Sequence, residues 1–220
     1  MKRKIDWFNH LINFIAMIAG VYLALYMSER TTKNKEKEEG LLIMNSLLID
    51  LKDDVEYFEE EEIPQTREQL QNLEAFIQLL LSDSTDLIKD QLSSTIFEAQ
   101  HSDPSSAIYR SLEASGKLSL MGDIYLQKDL IMFYEGIANQ CAFEGSMQLD
   151  FLQKELIPWA MNNVNIATGE LLDEGEFESI TNKLLIYQSI IEQKLETYQE
   201  VISSSKELIS RIEESKKSRI

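Results

Sequence analysis

Residue types and spacings that could support chemistry occur at a few places in this chain. Gly116 and Lys117 form a pair that is found in phosphate-binding loops. Such a loop needs a second Gly five positions before the first and a Ser or Thr after the Lys. Ser111 and Leu118 occupy those positions here. We therefore interpret Gly116 as the residue that closes a helix, in the left-handed conformation that glycine allows.

Metal binding is suggested by Glu98 and His101, which have the i, i+3 spacing of carboxylate di-iron bundles. That site needs a second such motif, and the one other histidine, His10, lies beside the apolar N-terminal stretch. The acidic run from Glu59 to Glu62 is typical of a solvated helix end. We expect no metal site and no bound cofactor.

Nucleophilic catalysis is also poorly supported. The single cysteine, Cys141, lies on an apolar helical stripe without a nearby histidine, which is typical of a buried structural thiol. A lone cysteine also excludes an internal disulfide framework. Because no nucleophile is paired with a base, we predict that the protein is not an enzyme.

The charge distribution argues against nucleic acid as a partner. The formal net charge is −17, and residues after position 40 hold 14 basic and 33 acidic side chains. Nucleic-acid binding requires basic groups that displace counterions from phosphates. We expect this acidic region to repel nucleic acid.

An apolar stretch near the N-terminus, Leu11 to Met27, contains no charged residue. As a helix it would be about 26 Å long, close to the thickness of the hydrocarbon core of a bilayer. Trp7 and Tyr26 would then lie about 28 Å apart, which suits aromatic side chains at the two membrane interfaces. We predict a transmembrane helix over residues 11–28 and a short basic tail over residues 1–10.

Two other interpretations of this stretch are a cleaved signal peptide and a buried core helix. The basic start, Met1 to Lys4, suits a signal peptide. The apolar region is longer than that of most signals, however, and Tyr26 stands where cleavage requires a small residue. The pattern favours an uncleaved anchor.

Small side chains recur at every fourth position of the predicted span. They are Ala16, Gly20, Ala24 and Ser28. Such a stripe lets two helix backbones approach closely, so that van der Waals packing drives association in lipid. We predict a homo-oligomer that forms through this stripe.

The rest of the chain predicts an all-α fold. With 8 Gly and 3 Pro, the composition favours long helices. Residues 29–40 have no apolar stripe and predict a charged stalk, and residues 41–220 predict an acidic helical bundle. Beyond Gly40, apolar residues follow heptad spacing, which fits a coiled coil or a bundle helix. Leu42, Leu47 and Ile49 broaden this stripe and favour the bundle.

Helix boundaries follow from proline, glycine and capping residues. Pro64 and Pro158 are each expected to end a helix. Thr66 and Gln69 form a capping-box pattern that would open the second helix, and a shorter helix is expected near residues 87–97.

In the middle of the chain, Asp103 is predicted to cap a helix with Pro104 in its first position. Gly116 would end that helix, and Asp123 would cap the next one. A turn-rich loop is expected near residues 161–176, before a last helix from about Phe177. The prediction is an antiparallel bundle of about five helices.

Two segments resemble a family of small bacterial single-span membrane proteins that carry a domain of unknown function. The matching residues in the span are Gly20, Leu23, Ala24 and Leu25. Those in the second segment are Tyr109, Leu112, Ser115, Gly116, Leu118, Leu126, Leu130 and Tyr134. The resemblance implies a location in the bacterial envelope and a helical domain, but no activity.

These patterns predict a single-pass protein of the bacterial inner membrane that acts as a non-enzymatic interaction or scaffold protein. Its partners would be the lipid bilayer, further copies of itself and an unidentified envelope protein. Basic residues are nearly balanced across the span, and we expect a cytoplasmic N-terminus and a periplasmic domain. The opposite orientation would give a cytoplasmic adaptor or effector. A sensory module that acts with a separate signalling partner is the other alternative.

Overall fold

The computed structural model of the protein describes residues 7–82, 99, 101–165, 170–172 and 177–219. Its α-helices are α1 Trp7–Tyr57, α2 Ile63–Leu81, α3 Ala107–Ala114, α4 Ile124–Met132, α5 Asn139–Phe151, α6 Ile157–Asn163 and α7 Phe177–Arg219. The predicted all-α fold is confirmed. The predicted turn-rich loop contains a small antiparallel pair of strands, β1 Val164–Asn165 and β2 Glu170–Leu171. The helix predicted near residues 87–97 lies outside the described residues.

Both prolines that were expected to end a helix lie inside a continuous one. A π-helical turn, Phe58–Glu62, joins α1 to α2, and another, Leu152–Leu156, joins α5 to α6. Pro64 and Pro158 each lie two residues beyond the last residue of such a turn. The residue after each turn donates its N–H to the carbonyl five positions back. The wider turn leaves one carbonyl without a donor from the helix. The proline ring therefore does not clash with the preceding turn, and the N–H that proline lacks is not needed. The prediction that these helices end at proline is wrong.

Three long helical segments make up the bundle in the described part of the chain. The first is α1–α2, the second is α4–α6 with a further π-helical turn at Phe133–Ala138, and the third is α7. Ion pairs join α7 to both others in reverse sequence order, so α7 is antiparallel to each. These pairs are Lys52–Glu213, Lys206–Glu59, Lys183–Glu155 and Arg211–Asp129. The first two segments are therefore parallel to each other. Residues 101–121 lead back along the bundle, since His101 lies beside Gly145 and Leu120 lies beside Gly40.

This returning segment, residues 101–121, packs against the first two long segments. The Ser105 N–H donates to both oxygens of Asp54, at 2.9 and 3.1 Å. Tyr109 stacks on Tyr134 with ring centroids 4.4 Å apart. Lys117 forms an ion pair with Glu39 at 2.7 Å.

The start of α3 differs from the prediction. Its N-cap is Ser106, so Asp103 does not cap it and Pro104 is not its first residue. Oδ1 of Asp103 lies 2.6 Å from His101 Nε2 instead, and Pro104 is buried. Since His101 engages the Asp103 carboxylate, that group is held away from the N–H groups of the helix. The predicted capping role of Asp103 and Pro104 is wrong.

The turn between α3 and α4 follows the sequence prediction. Gly116 and Gly122 have φ of +69° and +68° and flank a 3₁₀ turn, Lys117–Met121. Asp123 caps α4, because its Oδ1 accepts from the N–H groups of Tyr125 and Leu126 at 2.9 and 3.1 Å. The roles predicted for Gly116 and Asp123 are confirmed.

Two apolar clusters form the core, one at each end of the bundle. The cluster near the stalk includes Met44, Leu51, Phe58, Leu126, Tyr198 and Ile212. The far cluster includes Leu73, Phe76, Leu156, Trp159 and Leu184. Along each long segment, buried polar residues lie between the two clusters; they are Glu62, Thr66, Gln69, Glu144, Gln148, Lys194 and Thr197. We call this set the polar layer.

Two sequence predictions fail within these elements. Thr66 and Gln69 do not open α2 as a capping box, because α2 begins at Ile63 and both are buried in its interior. Leu42 and Ile49 do not broaden the core stripe of α1, since their side chains are 66% and 59% exposed. Leu47, by contrast, is fully buried.

Candidate functional site

The N-terminal half of α1 is a helix without packing partners in the described structure. Every side chain that is described between positions 10 and 38 is exposed, and burial begins at Gly40. The helix contains one stretch long and apolar enough to cross a membrane, judged by length and composition, and none of that stretch is buried. The interpretation of residues 11–28 as a packed core helix is therefore wrong.

The predicted small-residue stripe continues into the bundle half of α1. Because α1 is uninterrupted, its repeat of 3.6 residues per turn places Leu42 and Ile49 on the same side as Gly20. This side lies opposite the buried Met44 and Leu51. We define the outward face of α1 as Asn13, Ala16, Gly20, Ala24, Ser28, Leu42 and Ile49.

The outward face is open along its length. A Cβ atom added at Gly20 would meet no atom within 4 Å. Leu42 and Ile49 are among the exposed large apolar residues of the chain. Trp7 and Tyr26, the predicted interface residues, are also exposed and lie at opposite ends of the apolar stretch. The structure brings the four small residues onto one surface, and it adds two aliphatic residues in register with them.

The polar layer is a second group of functional candidates, in the middle of the bundle. Gln148 Nε2 donates to Tyr187 Oη at 3.0 Å and to Gln69 Oε1 at 3.3 Å. Lys194 Nζ donates to Gln148 Oε1 at 2.6 Å and lies 5.4 Å from the ring centroid of Tyr198. The Lys194 side chain is fully buried. Burial lowers the pKa of Lys194 to about 8, and the nearby Glu62 opposes that shift.

Two buried carboxylates in the polar layer are only partly hydrogen-bonded. Glu62 Oε1 accepts from Tyr57 Oη at 3.3 Å. Glu144 Oε1 accepts from Gln140 Nε2 at 2.9 Å and from Gln193 Nε2 at 3.1 Å. The second oxygen of each carboxylate is buried without a hydrogen-bond partner in the described part of the chain. Leaving such an oxygen unpaired in a low-dielectric interior is costly to folding.

Cys141 and His101 lie at the edge of this layer. Cys141 is fully buried, as predicted, and burial raises its thiol pKa to about 12. The thiol is therefore protonated at neutral pH and is a poor nucleophile. His101 pairs with Asp103, and its predicted partner Glu98 lies outside the described residues. In residues that the structure describes, no group of three or more His, Cys, Asp or Glu side chains could hold a metal ion.

The sequence contained a signal for the polar layer that the apolar pattern concealed. Ile191, Lys194 and Tyr198 keep the 3–4 spacing of core positions, and so do Cys141, Glu144 and Gln148. Leu195 is the apolar neighbour that the sequence pattern favours as a core residue, but Lys194 is the more deeply buried of the two. Polar residues at positions with core spacing were therefore the feature of the sequence that indicated the polar layer.

Comparisons of the chain with protein-family models, with curated proteins and with solved structures found no match. The resemblance to a family of single-span bacterial membrane proteins therefore stays a prediction. The fold and the geometry define an all-α bundle whose first helix extends into one candidate membrane span.

Proposed function

We propose that this protein is a membrane-anchored, non-enzymatic interaction protein of the bacterial inner membrane that self-associates through the outward face of α1. The observation that carries the proposal is the shared register of Gly20, Leu42 and Ile49 on one uninterrupted helix. Packing of a second copy would cover a surface that is apolar both in lipid and in water.

Different forces act along the two halves of this face. Within lipid, small side chains allow close backbone contact, and Asn13 can form a hydrogen bond between helices. Above the stalk, burying Leu42 and Ile49 would remove apolar surface from water, at roughly 25 cal/mol per Å². A parallel pair of α1 helices would cover both halves of the outward face at once. Copies in one membrane share their orientation, so they can form such a pair. An envelope protein would then bind to the acidic bundle that this pair presents.

Substitution of Gly20 tests the self-association. We expect Gly20→Leu to weaken dimerisation about tenfold or more, or roughly 1.4 kcal/mol, because its side chain separates the backbones. Ala19→Leu is the matched control, since Ala19 lies on another side of α1 and is also exposed. Sedimentation equilibrium in a mild non-ionic detergent measures both. A monomeric parent protein, or equal weakening by both substitutions, would contradict the proposal.

The orientation is tested by reporter fusions after Ile220 in intact bacterial cells. We expect an alkaline phosphatase fusion to be active and a green fluorescent protein fusion to be dark, because both report a periplasmic C-terminus. A fluorescent fusion with inactive phosphatase would place the bundle in the cytoplasm. That result would replace the envelope interaction by a cytoplasmic adaptor or effector role.

A further inference from the structure

Three elements meet at the end of the bundle that is nearest to the apolar stretch of α1. Gly40 on α1 lies beside Leu120, and both Gly40 and Gly122 lie beside the Arg219 side chain at the end of α7. Arg219 Nη1 also donates to the Leu120 carbonyl oxygen at 2.9 Å. We define the base of the bundle as Gly40 together with residues 117–125 and 216–219.

The base differs in charge from the rest of the bundle. It holds four basic residues, Lys117, Lys216, Lys217 and Arg219, and one acidic residue, Asp123, which caps α4. Of the 14 basic and 33 acidic residues after position 40, the remainder of the bundle therefore holds 10 and 32. The stalk between positions 29 and 39 is balanced, with four residues of each sign. The acidic excess of the protein thus lies away from the end that faces the candidate span.

Two large apolar side chains are exposed at the base. Ile124 and Tyr125 begin α4 and are 73% and 71% exposed, more than any other large apolar side chain described beyond position 40. Because α4 is parallel to α1, it starts at the base and runs away from it. Helical side chains lean towards the N-terminus of their helix, so these two lean towards the candidate span. Tyrosine, with an apolar ring and a polar hydroxyl, is suited to a membrane interface.

We propose that the base docks on an anionic lipid surface of the membrane that α1 crosses. Its lysine and arginine side chains would bind lipid phosphates, and Ile124 and Tyr125 would lie among the headgroups. The acidic remainder of the bundle would be repelled by the same surface, so this end alone matches it in charge. The proposal rests on the proposed membrane anchor, and it holds for either orientation of the protein across the membrane.

The length of the stalk allows this contact if α1 is tilted. Gly40 lies 12 residues beyond Ser28, or about 18 Å along the helix, and the headgroups occupy roughly the first 6 Å. A tilt of about 35°, within the range of transmembrane helices, lowers Gly40 to about 15 Å. A neighbouring helix about 10 Å away on the leaning side is lowered by roughly 6 Å more. A lysine side chain can span the remaining gap, so docking predicts a tilted α1.

Fluorescence quenching in vesicles tests the docking of the full-length protein. Ser119→Cys carries an environment-sensitive fluorophore at an exposed position of the base, and Met161→Cys carries it at the far end of the bundle. Cys141 is fully buried and should not be labelled. The vesicles contain phosphatidylcholine and a lipid with a spin-labelled headgroup, with or without phosphatidylglycerol. We expect quenching at position 119 only with phosphatidylglycerol, and none at position 161.

Substitution of a basic residue of the base should weaken the docking. We expect Lys217→Gln to lower the ratio of docked to undocked protein about fivefold, the contribution of one basic group near an anionic surface. Lys154→Gln is the matched control, because Lys154 is also exposed, lies on the π-helical turn before α6 and gives the same change in net charge.

Equal quenching at position 119 with and without phosphatidylglycerol would overturn the proposal, and so would equal weakening by the two lysine substitutions. Alkaline extraction of the same vesicles separates docking from anchoring, because a transmembrane helix resists it in either lipid. Retention of the protein without quenching at position 119 would overturn the docking alone. Release from both kinds of vesicle would contradict the membrane anchor and the docking with it.

Discussion

At the scale of single residues, Lys194 shows how the polar layer is held together. It projects from α7 into a space that Glu62 borders from the first long segment and Cys141 borders from the second. Its Nζ donates to Gln148 Oε1, and that amide also bonds to Tyr187. The lowered pKa of about 8 means that burial disfavours the ammonium form relative to the unfolded chain. Burial of Lys194 in the polar layer therefore lowers the free energy of unfolding.

The pH dependence of the free energy of unfolding between pH 8 and 9 should report the titration of Lys194. Its folded pKa of about 8 lies below its unfolded value, so the unfolded chain binds more protons in this range. Stability should therefore rise with pH, by up to about 1 kcal/mol per pH unit. Above pH 9 the rise should reverse, because Cys141 and the buried tyrosines ionise more readily once unfolded. Urea titrations at several pH values measure the slope.

Two substitutions on α7 separate Lys194 from the other titrating groups. Lys194→Met should abolish the rise between pH 8 and 9, because it removes the group that titrates there. Lys206→Met should retain it, since Lys206 is exposed and pairs with Glu59 on the surface. An unchanged slope in Lys194→Met would show that another group is responsible.

At the scale of elements, the contact between the returning segment and α5 depends on Gly145. A Cβ atom at this position would lie 1.9 Å from His101 Nδ1, which is closer than any real contact. Glycine therefore lets the segment that carries His101 and Asp103 pack directly on the helix. Gly136, also in the second long segment, differs because a Cβ there would meet nothing within 4 Å.

Alanine substitutions at the two glycines should have opposite effects. Gly145→Ala should destabilise the protein by about 1–3 kcal/mol, because the His101 ring must move and its pairing with Asp103 is lost. Gly136→Ala should be neutral or stabilising by up to about 1 kcal/mol, because alanine restricts the unfolded chain more than glycine does. Thermal unfolding measures both. Adding His101→Ala should rescue much of the loss in Gly145→Ala, and absence of rescue would contradict the steric explanation.

How much the sequence could predict differs between elements for physical reasons. Met44 and Leu51, which belong to the heptad pattern predicted beyond Gly40, are fully buried, because burial follows the helical repeat wherever the helix is regular. The turn at Gly116 and Asp123 was predictable, since local chemistry alone determines it. Pro64 was wrongly predicted to end a helix, because a π-helical turn lets the helix continue past the proline and no residue type specifies such a turn.

Tertiary contacts explain the other failures. The outward position of Leu42 and Ile49 could not be seen, because their apolar side chains resemble core residues until the packed face is known. Asp103 would suit a helix cap by type, but His101 engages it through a contact that the capping pattern does not include. The small-residue stripe could be found from sequence, whereas its continuation into the bundle required an uninterrupted α1.

At the scale of the whole molecule, the two halves of α1 differ in what they contribute to folding. Residues from Gly40 onwards supply buried side chains to the cluster near the stalk, among them Met44, Leu47 and Leu51. The described side chains from position 10 to position 38 are all exposed. The bundle should therefore fold without the apolar half, although that half is continuous with it.

Truncation tests this division of α1. A chain of residues 39–220 should unfold at nearly the same temperature as the full-length protein, because it loses no buried side chain. It should also stay in solution without detergent and sediment as a monomer if the apolar stretch supports self-association. Residues 59–220 provide the comparison: each lost aliphatic side chain of the cluster near the stalk contributes roughly 1.5–3 kcal/mol, so this chain should not fold. A requirement of the 39–220 chain for detergent would instead show that the N-terminal stretch is part of the folded domain.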